Sequence, residues 1–247
     1  MTDTSFAVIL VEPQLGENIG MCARAMWNCG IRDLRLVSPR DGWPSESARK
    51  SASGADVVLD NTQVFETTED AVADLNFVLA TTARPRDMTK AVFTPEAAAK
   101  DMRERTAAGE RTGVLFGKEA MGLSNDDVAL SDAVLTVPLN PAFTSLNLAQ
   151  AVLLMGYEWF KQADDTPGRE LRMPGDTRPA GKDEMLHMFE HLEDELDARG
   201  FLRVPEKRPT MVRNIRNLLW RAEMTEQEVR TFRGIIKALA TFPRKDG

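Results

Sequence analysis

Apolar runs and apolar stripes alternate along the first two thirds of the chain. Phe6 to Val11 is six apolar residues in a row, the pattern of a strand buried on both faces. Gly16 to Asn28 then places Ile19, Ala23, Met26 and Trp27 inward at helical spacing, and Gly30 closes the helix. Leu34 to Val37 predicts a second strand, Ser47 to Ala55 a short Ala-rich helix, and Val57 to Leu59 and Thr62 to Phe65 a short strand and a turn. Asp70 to Asp74 reads as helical and Phe77 to Ala80 as a strand. Pro95 opens a helix that runs to Ala107. Gly113 to Phe116, Asn125 to Leu130 and Ala133 to Pro138 predict strand, helix, strand, and Leu146 to Lys161 a long apolar helix. This alternation predicts an α/β fold with a largely parallel sheet over residues 1–163.

The pattern changes after Ala163. Residues 164–182 hold three Pro and three Gly among charged residues, the composition of an exposed linker. Residues 183–247 then predict three short amphipathic helices. Asp183 caps the first, with Met185, Phe189, Leu192 and Leu196 on one face. Thr210 caps the second, with Val212, Ile215 and Leu219 aligned. Thr225 and Glu228 form a capping box for the third, with Val229, Phe232, Ile236 and Leu239 inward.

Charge follows the same division. The net charge of −7 argues against a nucleic-acid partner until it is resolved along the chain. Residues 200–247 carry 11 Lys and Arg against 5 Asp and Glu, leaving 20 against 33 for residues 1–199. An acidic body with a basic tail suits an RNA-handling protein, and it equally suits a solvated helical face. No apolar run is long enough for a membrane span and the first residues lack a secretory pattern, so a soluble, cytoplasmic protein is expected. Cys22 and Cys29, seven apart on a predicted helix, read as reduced packing residues.

Candidate chemistry gathers where strands end. Glu12 to Arg24, Leu115 to Ser124 and Asn140 to Gln150 each carry polar residues and glycines from an apolar run into the next element, which suggests one shared site beyond the carboxyl ends of the strands. Thr144 or Ser145 can cap the helix that follows or turn to a ligand. Gly16 and Gly20 are spaced GxxxG, so the dinucleotide fingerprint is absent, and Gly117-Lys118 is followed by Glu, so this is no P-loop. His187 and His191 sit i, i+4 without a third ligand at metal spacing, and no metal is expected.

Taken together, Asn18 with Arg24, Phe116-Gly-Lys-Glu119 through Gly122-Leu-Ser, and Ser145-Leu-Asn147-Leu-Ala resemble the three motifs of SPOUT-class RNA ribose 2′-O-methyltransferases of the TrmH type. Within that class the likeness is to the TrmJ family, which methylates the ribose of nucleotide 32 in the tRNA anticodon loop, and it runs from about Phe6 to Ala240. The resemblance implies a deep trefoil knot in the C-terminal part of the sheet, a feature no periodicity predicts. It implies S-adenosylmethionine as methyl donor, held at Thr81, Thr82, Ala83, Gly117, Val137, Thr144, Ser145 and Leu146, with Gly117 leaving room for the ligand. It places Arg24 beside the acceptor ribose, with Asn18, Glu119, Ser145 and Asn147 as further catalytic-motif positions. In this reading Asn18 and Asn147 shape the pocket, while Glu119 orients Arg24 or positions the RNA. A guanidinium is a poor base, so Arg24 is expected to bind the target phosphate and stabilise charge on the ribose oxygen, the proton leaving through a phosphate oxygen or water. The resemblance further implies a homodimer whose site uses both subunits, with Leu146 to Lys161 a plausible interface. The C-terminal helices, through Arg203, Lys207, Arg208, Arg213, Arg216 and Arg221, extend the tRNA-binding surface. The competing expectations are the same chemistry on another tRNA or rRNA nucleotide, a non-catalytic RNA-binding member of the fold, and a nucleotide-dependent oxidoreductase.

Overall fold

The continuous apolar runs become strands buried on both faces in the computed structural model, which describes residues 5–82, 88–168 and 175–241. The strands are β1 (Ala7–Val11), β2 (Leu34–Val37), β3 (Gln63–Phe65), β4 (Phe77–Thr81), β5 (Val92–Phe93), β6 (Thr112–Phe116) and β7 (Ala133–Leu135). They form one sheet in the order β3-β2-β1-β6-β4-β7-β5. Every pairing in it is parallel. The two-residue alternation of a strand divides β1 between two cores. Val8 and Leu10 pack with Ile19, Met26 and Val152, while Ala7, Ile9 and Val11 pack with Ala80, Leu115 and Val128.

Among the described residues, the helices of this unit are α1 (Gly16–Asn28), α2 (Glu46–Ala52), α3 (Asp56–Asp60), α4 (Thr68–Val72), α5 (Pro95–Ala107), α6 (Asn125–Leu130) and α7 (Leu148–Lys161). Residues of α1, α2, α3, α5 and α7 join the first core, and those of α4 and α6 the second. The ring of Phe6 meets Trp159 edge-on at 5.3 Å, tying β1's start to α7. The GxxxG pair has a packing cause. A Cβ on Gly20 would lie 2.0 Å from the Ala48 carbonyl oxygen, and one on Gly16 would lie 2.2 Å from Ser47 Oγ, so these glycines let α1 lie directly on α2. Arg35 of β2 is 1% exposed and bonds Asp33, Asp74 and the Ala71 carbonyl, which satisfies a charge in the sheet.

From β1 the chain moves to β2 and β3 on one flank, whereas β6 leads to β7 on the other. The reversal falls between β1 and β6, where an open α/β sheet leaves a crevice at its carboxyl edge.

Several local expectations change. Val57 to Leu59 lies in α3 rather than a strand, because Val58 and Leu59 are drawn into the first core and tertiary packing overrides β-branched propensity. β7 ends at Leu135, short of Pro138, and α7 begins at Leu148 with Asn147 as its cap in place of Thr144 or Ser145. β5 has only two residues, too few for a periodic signal.

The chain divides into units Met1–Thr166 and Pro167–Gly247. The second contains α8 (Lys182–Ala198), α9 (Arg208–Trp220) and α10 (Glu226–Thr241) around Met185, Met188, Phe189 and Val229. The Thr225 and Glu228 capping box forms, the Thr225 N–H donating to Glu228 Oε2 at 2.7 Å and the Glu228 N–H to Thr225 Oγ1 at 3.3 Å. Caps expected at Asp183 and Thr210 fall at Gly181 and Lys207, since Glu184 reaches back to the Gly181 N–H and Pro209 occupies the first turn of α9. Leu239 is 78% exposed rather than inward, and Leu192 and Leu196 are half-buried. Arg178 to Ala180, in the stretch of linker composition, pairs with Met224 to Glu226.

Candidate active site

Three separate segments converge at the β1–β6 crevice. After β1 the chain turns at Glu12, whose φ of 48° is left-handed, and enters α1 without a side-chain cap. The N–H of Gln14 is turned instead toward Glu119 and donates to its Oε2 at 2.8 Å. Glu119 sits in the tight loop after β6, where the Gly122 N–H bonds the Lys118 carbonyl at 2.9 Å and Ala120 and Gly122 take left-handed backbone. Its other oxygen accepts from Asn18 Nδ2 at 2.6 Å. Asn18 Oδ1 in turn accepts from Asn147 Nδ2 at 3.2 Å. Asn147 Oδ1 caps α7 through the Ala149 N–H at 2.9 Å, and Gln150 returns a bond to the Asn147 N–H at 3.0 Å. The result is a polar chain, Asn147 to Asn18 to Glu119 to Gln14, crossing sequence separations of 129, 101 and 105 residues. Bonds to the carboxylate are charge-assisted, and each contributes about 1.5–3 kcal/mol. Asn18 is 5% exposed, so loss of either neighbour leaves a buried amide unsatisfied.

Arg24 lies elsewhere. Six residues beyond Asn18, it projects from the exposed side of α1, with Nη1 3.5 Å from Ser53 Oγ. Glu119 does not orient it: both carboxylate oxygens are engaged by Asn18 and Gln14. Cys22, on the buried side of α1, has its thiol pKa pushed up by burial and then by the Glu119 charge, so it remains a protonated packing group.

The positions expected to hold a cofactor line the neighbouring strand ends. Thr81 donates to the Leu115 carbonyl at 2.9 Å. The Thr82 N–H bonds the Leu135 carbonyl at 3.1 Å and its carbonyl accepts from Thr136 Oγ1 at 3.1 Å, fastening β4 to β7. Ala83 lies outside the described residues. Val137 and Leu146 are half-buried, and Thr144 and Ser145 are exposed, within a segment of irregular backbone. The lack of a side chain at Gly117 is required by its own loop. A Cβ there would lie 2.2 Å from Leu123 N and Gly122 C, so its own loop fills that space.

Two participants were absent from the sequence reading. Gln14 acts through its backbone N–H, which no side-chain pattern reveals. Gln150 was legible, because Asn147-Leu-Ala-Gln150 has capping-box spacing. Arg40 also reaches the site's edge, donating from Nη1 to Gln14 Oε1 at 3.2 Å while pairing with Asp41, whose carboxyl it holds below the usual range.

In the second unit, Arg208 is paired with Asp197 and Arg216 with Glu193. Arg213 donates to the Pro209 carbonyl and Thr210. Arg203, Lys207 and Arg221 are exposed and form no ion pair among the described residues. Among those residues no three His, Cys, Asp or Glu gather as a metal site, and no helix is long and apolar enough to cross a membrane.

Residues 5–157 match the SpoU rRNA Methylase family, and residues 183–246 match the C-terminal domain of tRNA methyltransferase TrmJ. The chain is 33% identical over 240 residues to the tRNA (cytidine/uridine-2′-O-)-methyltransferase TrmJ of Citrobacter koseri, covering 94% of this chain and 95% of that one. It is 33% identical over 236 residues to the tRNA (cytidine/uridine/adenosine-2′-O-)-methyltransferase TrmJ of Pseudomonas aeruginosa, covering 93% and 91%. The crystal structure of TrmJ from Z. mobilis superposes with a TM-score of 0.82 at 48% identity, over 96% of this chain and 100% of that one. The parallel sheet, its three decorated strand ends and the helical C-terminal unit are thus those of the SpoU methylase family, to whose TrmJ branch this chain belongs.

Proposed function

We propose that this protein transfers a methyl group from S-adenosylmethionine to the 2′-hydroxyl of nucleotide 32, cytidine or uridine, in the tRNA anticodon loop. The observation that carries the reading is the polar chain from Asn147 through Asn18 to Glu119, which unites the three motif segments at the crevice. The donor supplies an electrophilic methyl on a sulfonium. Thr81, Thr82, Val137, Thr144, Ser145 and Leu146 fit such a group: they are uncharged, and residues 137–146 run outside helix and sheet, where peptide groups can turn to adenine and the methionine end. Gly117, directly after β6, is read as part of the same wall.

Asn18, Glu119 and Asn147 hold the strand ends in one geometry, so that the acceptor ribose meets a rigid surface. Ser145, exposed and relieved of capping, is read as a contact to either substrate. Arg24 points away from this cluster, which suits service to the site of a second subunit. There its guanidinium binds the target phosphate and stabilises the ribose oxygen as the proton departs to phosphate or water. The protein is read as a homodimer through an apolar face made by Met21 and Trp27 of α1 with Leu153, Leu154, Tyr157 and Phe160 of α7, all exposed. The knot belongs to the same reading, in residues 77–148, where β7 lies between the earlier β4 and β5. Residues 1–163 form the catalytic domain, 164–182 the linker and 183–247 the RNA-binding appendage, acting in the cytoplasm.

Labelled S-adenosylmethionine and unmodified tRNA transcripts test this, with the product mapped by nuclease digestion and mass spectrometry. A 2′-O-methyl group at nucleotide 32 is expected. Methylation at another nucleotide would discard the site assignment, and absence of transfer despite cofactor binding would leave an RNA-binding member of the fold.

A further inference from the structure

A second cavity, of about 310 Å³, opens on the same carboxyl edge of the sheet, between the ends of β1 and β2, the turn after β3 and the loop after β6. It shares that loop with the polar chain: Glu119 belongs to the chain, and its neighbour Lys118 lines the cavity, paired with Glu12. At this size it admits one small planar group rather than a dinucleotide.

Its chemistry is unusually one-sided. Four hydroxyls line it, and each has its single proton committed elsewhere. Ser38 donates to the Glu66 carbonyl at 2.9 Å and Thr67 to Asp70 at 2.7 Å. Thr68 donates to Asp127 at 2.7 Å and Ser124 to the same carboxylate at 2.6 Å. Thr67 and Ser124 also accept the Asp70 and Asp127 N–H groups as helix caps, so toward the cavity these four oxygens have only remaining lone pairs to offer and no proton. Glu66 and Glu69 add exposed carboxylates, and the ammonium of Lys118 is the one side-chain donor among the described lining residues. Phosphate is disfavoured by such a wall. A guest with N–H donors beside a single acceptor is favoured, and Met121, 71% exposed, offers a thioether to a flat face.

We propose that this cavity seats a nucleobase bearing an exocyclic amino group, its N–H bonds directed to the Glu66 and Glu69 side of the wall and its ring nitrogen or carbonyl to Lys118. Uracil, with one N–H between two carbonyls, is the base it rejects. The inference rests on the RNA-substrate reading. Since the relatives' names give uridine as well as cytidine as acceptor, the seat serves a base neighbouring the methylated nucleotide, not that nucleotide itself.

The test uses the full chain with 13C-methyl-labelled methionine, the Met121 signal being assigned from M121L. Titration with cytidine, adenosine and guanosine should move that signal, uridine should not, and the E66Q/E69Q variant should weaken the response about tenfold. An equal response to uridine, an equal response to magnesium ion alone, or no response to any nucleoside would each overturn the proposal. The readout needs no methyl transfer. A protein that takes cytidine yet methylates no RNA would sink the enzyme reading and leave the cavity assignment standing, and methylation without any shift at Met121 would do the reverse.

Discussion

Asn18 is the residue on which the site turns, because it is buried and both ends of its amide are bonded. Asn18→Ala leaves Glu119 with one partner and removes the acceptor of Asn147 Nδ2, so a loss of about 1–3 kcal/mol is expected in urea denaturation, together with reduced methyl transfer. Arg24→Ala is expected to differ in kind. Its side chain is exposed and its nearest partner, Ser53, is at 3.5 Å, so stability should hold within about 0.5 kcal/mol. Transfer should nonetheless fall by about 10²–10³ while S-adenosylhomocysteine affinity, read by calorimetry, is retained. A parallel loss of cofactor affinity would move Arg24 from the acceptor to the donor side of the site.

At the scale of elements, α7 is capped by Asn147, which leaves Ser145 without a capping role. Asn147→Ala should cost about 1 kcal/mol of stability as the cap is lost, whereas Ser145→Ala should leave the melting temperature nearly unchanged and be felt only in transfer kinetics. Equal destabilisation by both would contradict the assignment of Asn147 as the cap. The elements that were legible in sequence were those with long, consistent patterns. β1, α1 and α5 keep their predicted bounds, or lose one residue, because six apolar residues or a thirteen-residue helical stripe admit few alternatives. α3 was not legible, since Val57-Val-Leu59 is locally a strand and becomes helical only by burial of Val58 and Leu59. The motif residues of the site were visible as polar positions at strand ends, but their bonding was not. That Glu119 bonds Asn18 rather than Arg24 depends on which face of α1 is buried against the loop after β6. The role of Gly117 depends on how that loop folds back over it.

Across the whole molecule, charge is arranged for two different ends. The Asp74 carboxyl is held below its ordinary range chiefly by its hydrogen bond from Arg35, with burial opposing and the Arg35 and Arg111 charges assisting. A depressed carboxyl stabilises the fold above its unfolded pKa and ceases to do so as pH falls through the folded one. Thermal stability should therefore decline on acidification below the usual aspartate range, and Asp74→Asn should lower the melting temperature at pH 7 while flattening that decline. In the C-terminal unit, R203A/K207A/R221A should weaken tRNA binding and reduce the slope of log affinity against log salt by about 0.7–0.9 for each phosphate no longer neutralised. Arg216→Ala, which strands Glu193, should instead destabilise the unit. The polar chain across the crevice also fixes when the site comes into being. Its members are spread from Gln14 to Asn147, so a nascent polypeptide halted between Leu135 and Asn147 has synthesised every strand of the sheet yet lacks the residue that completes the polar chain. The chain of bonds closes only once α7 has left the ribosome and Asn147 can reach Asn18.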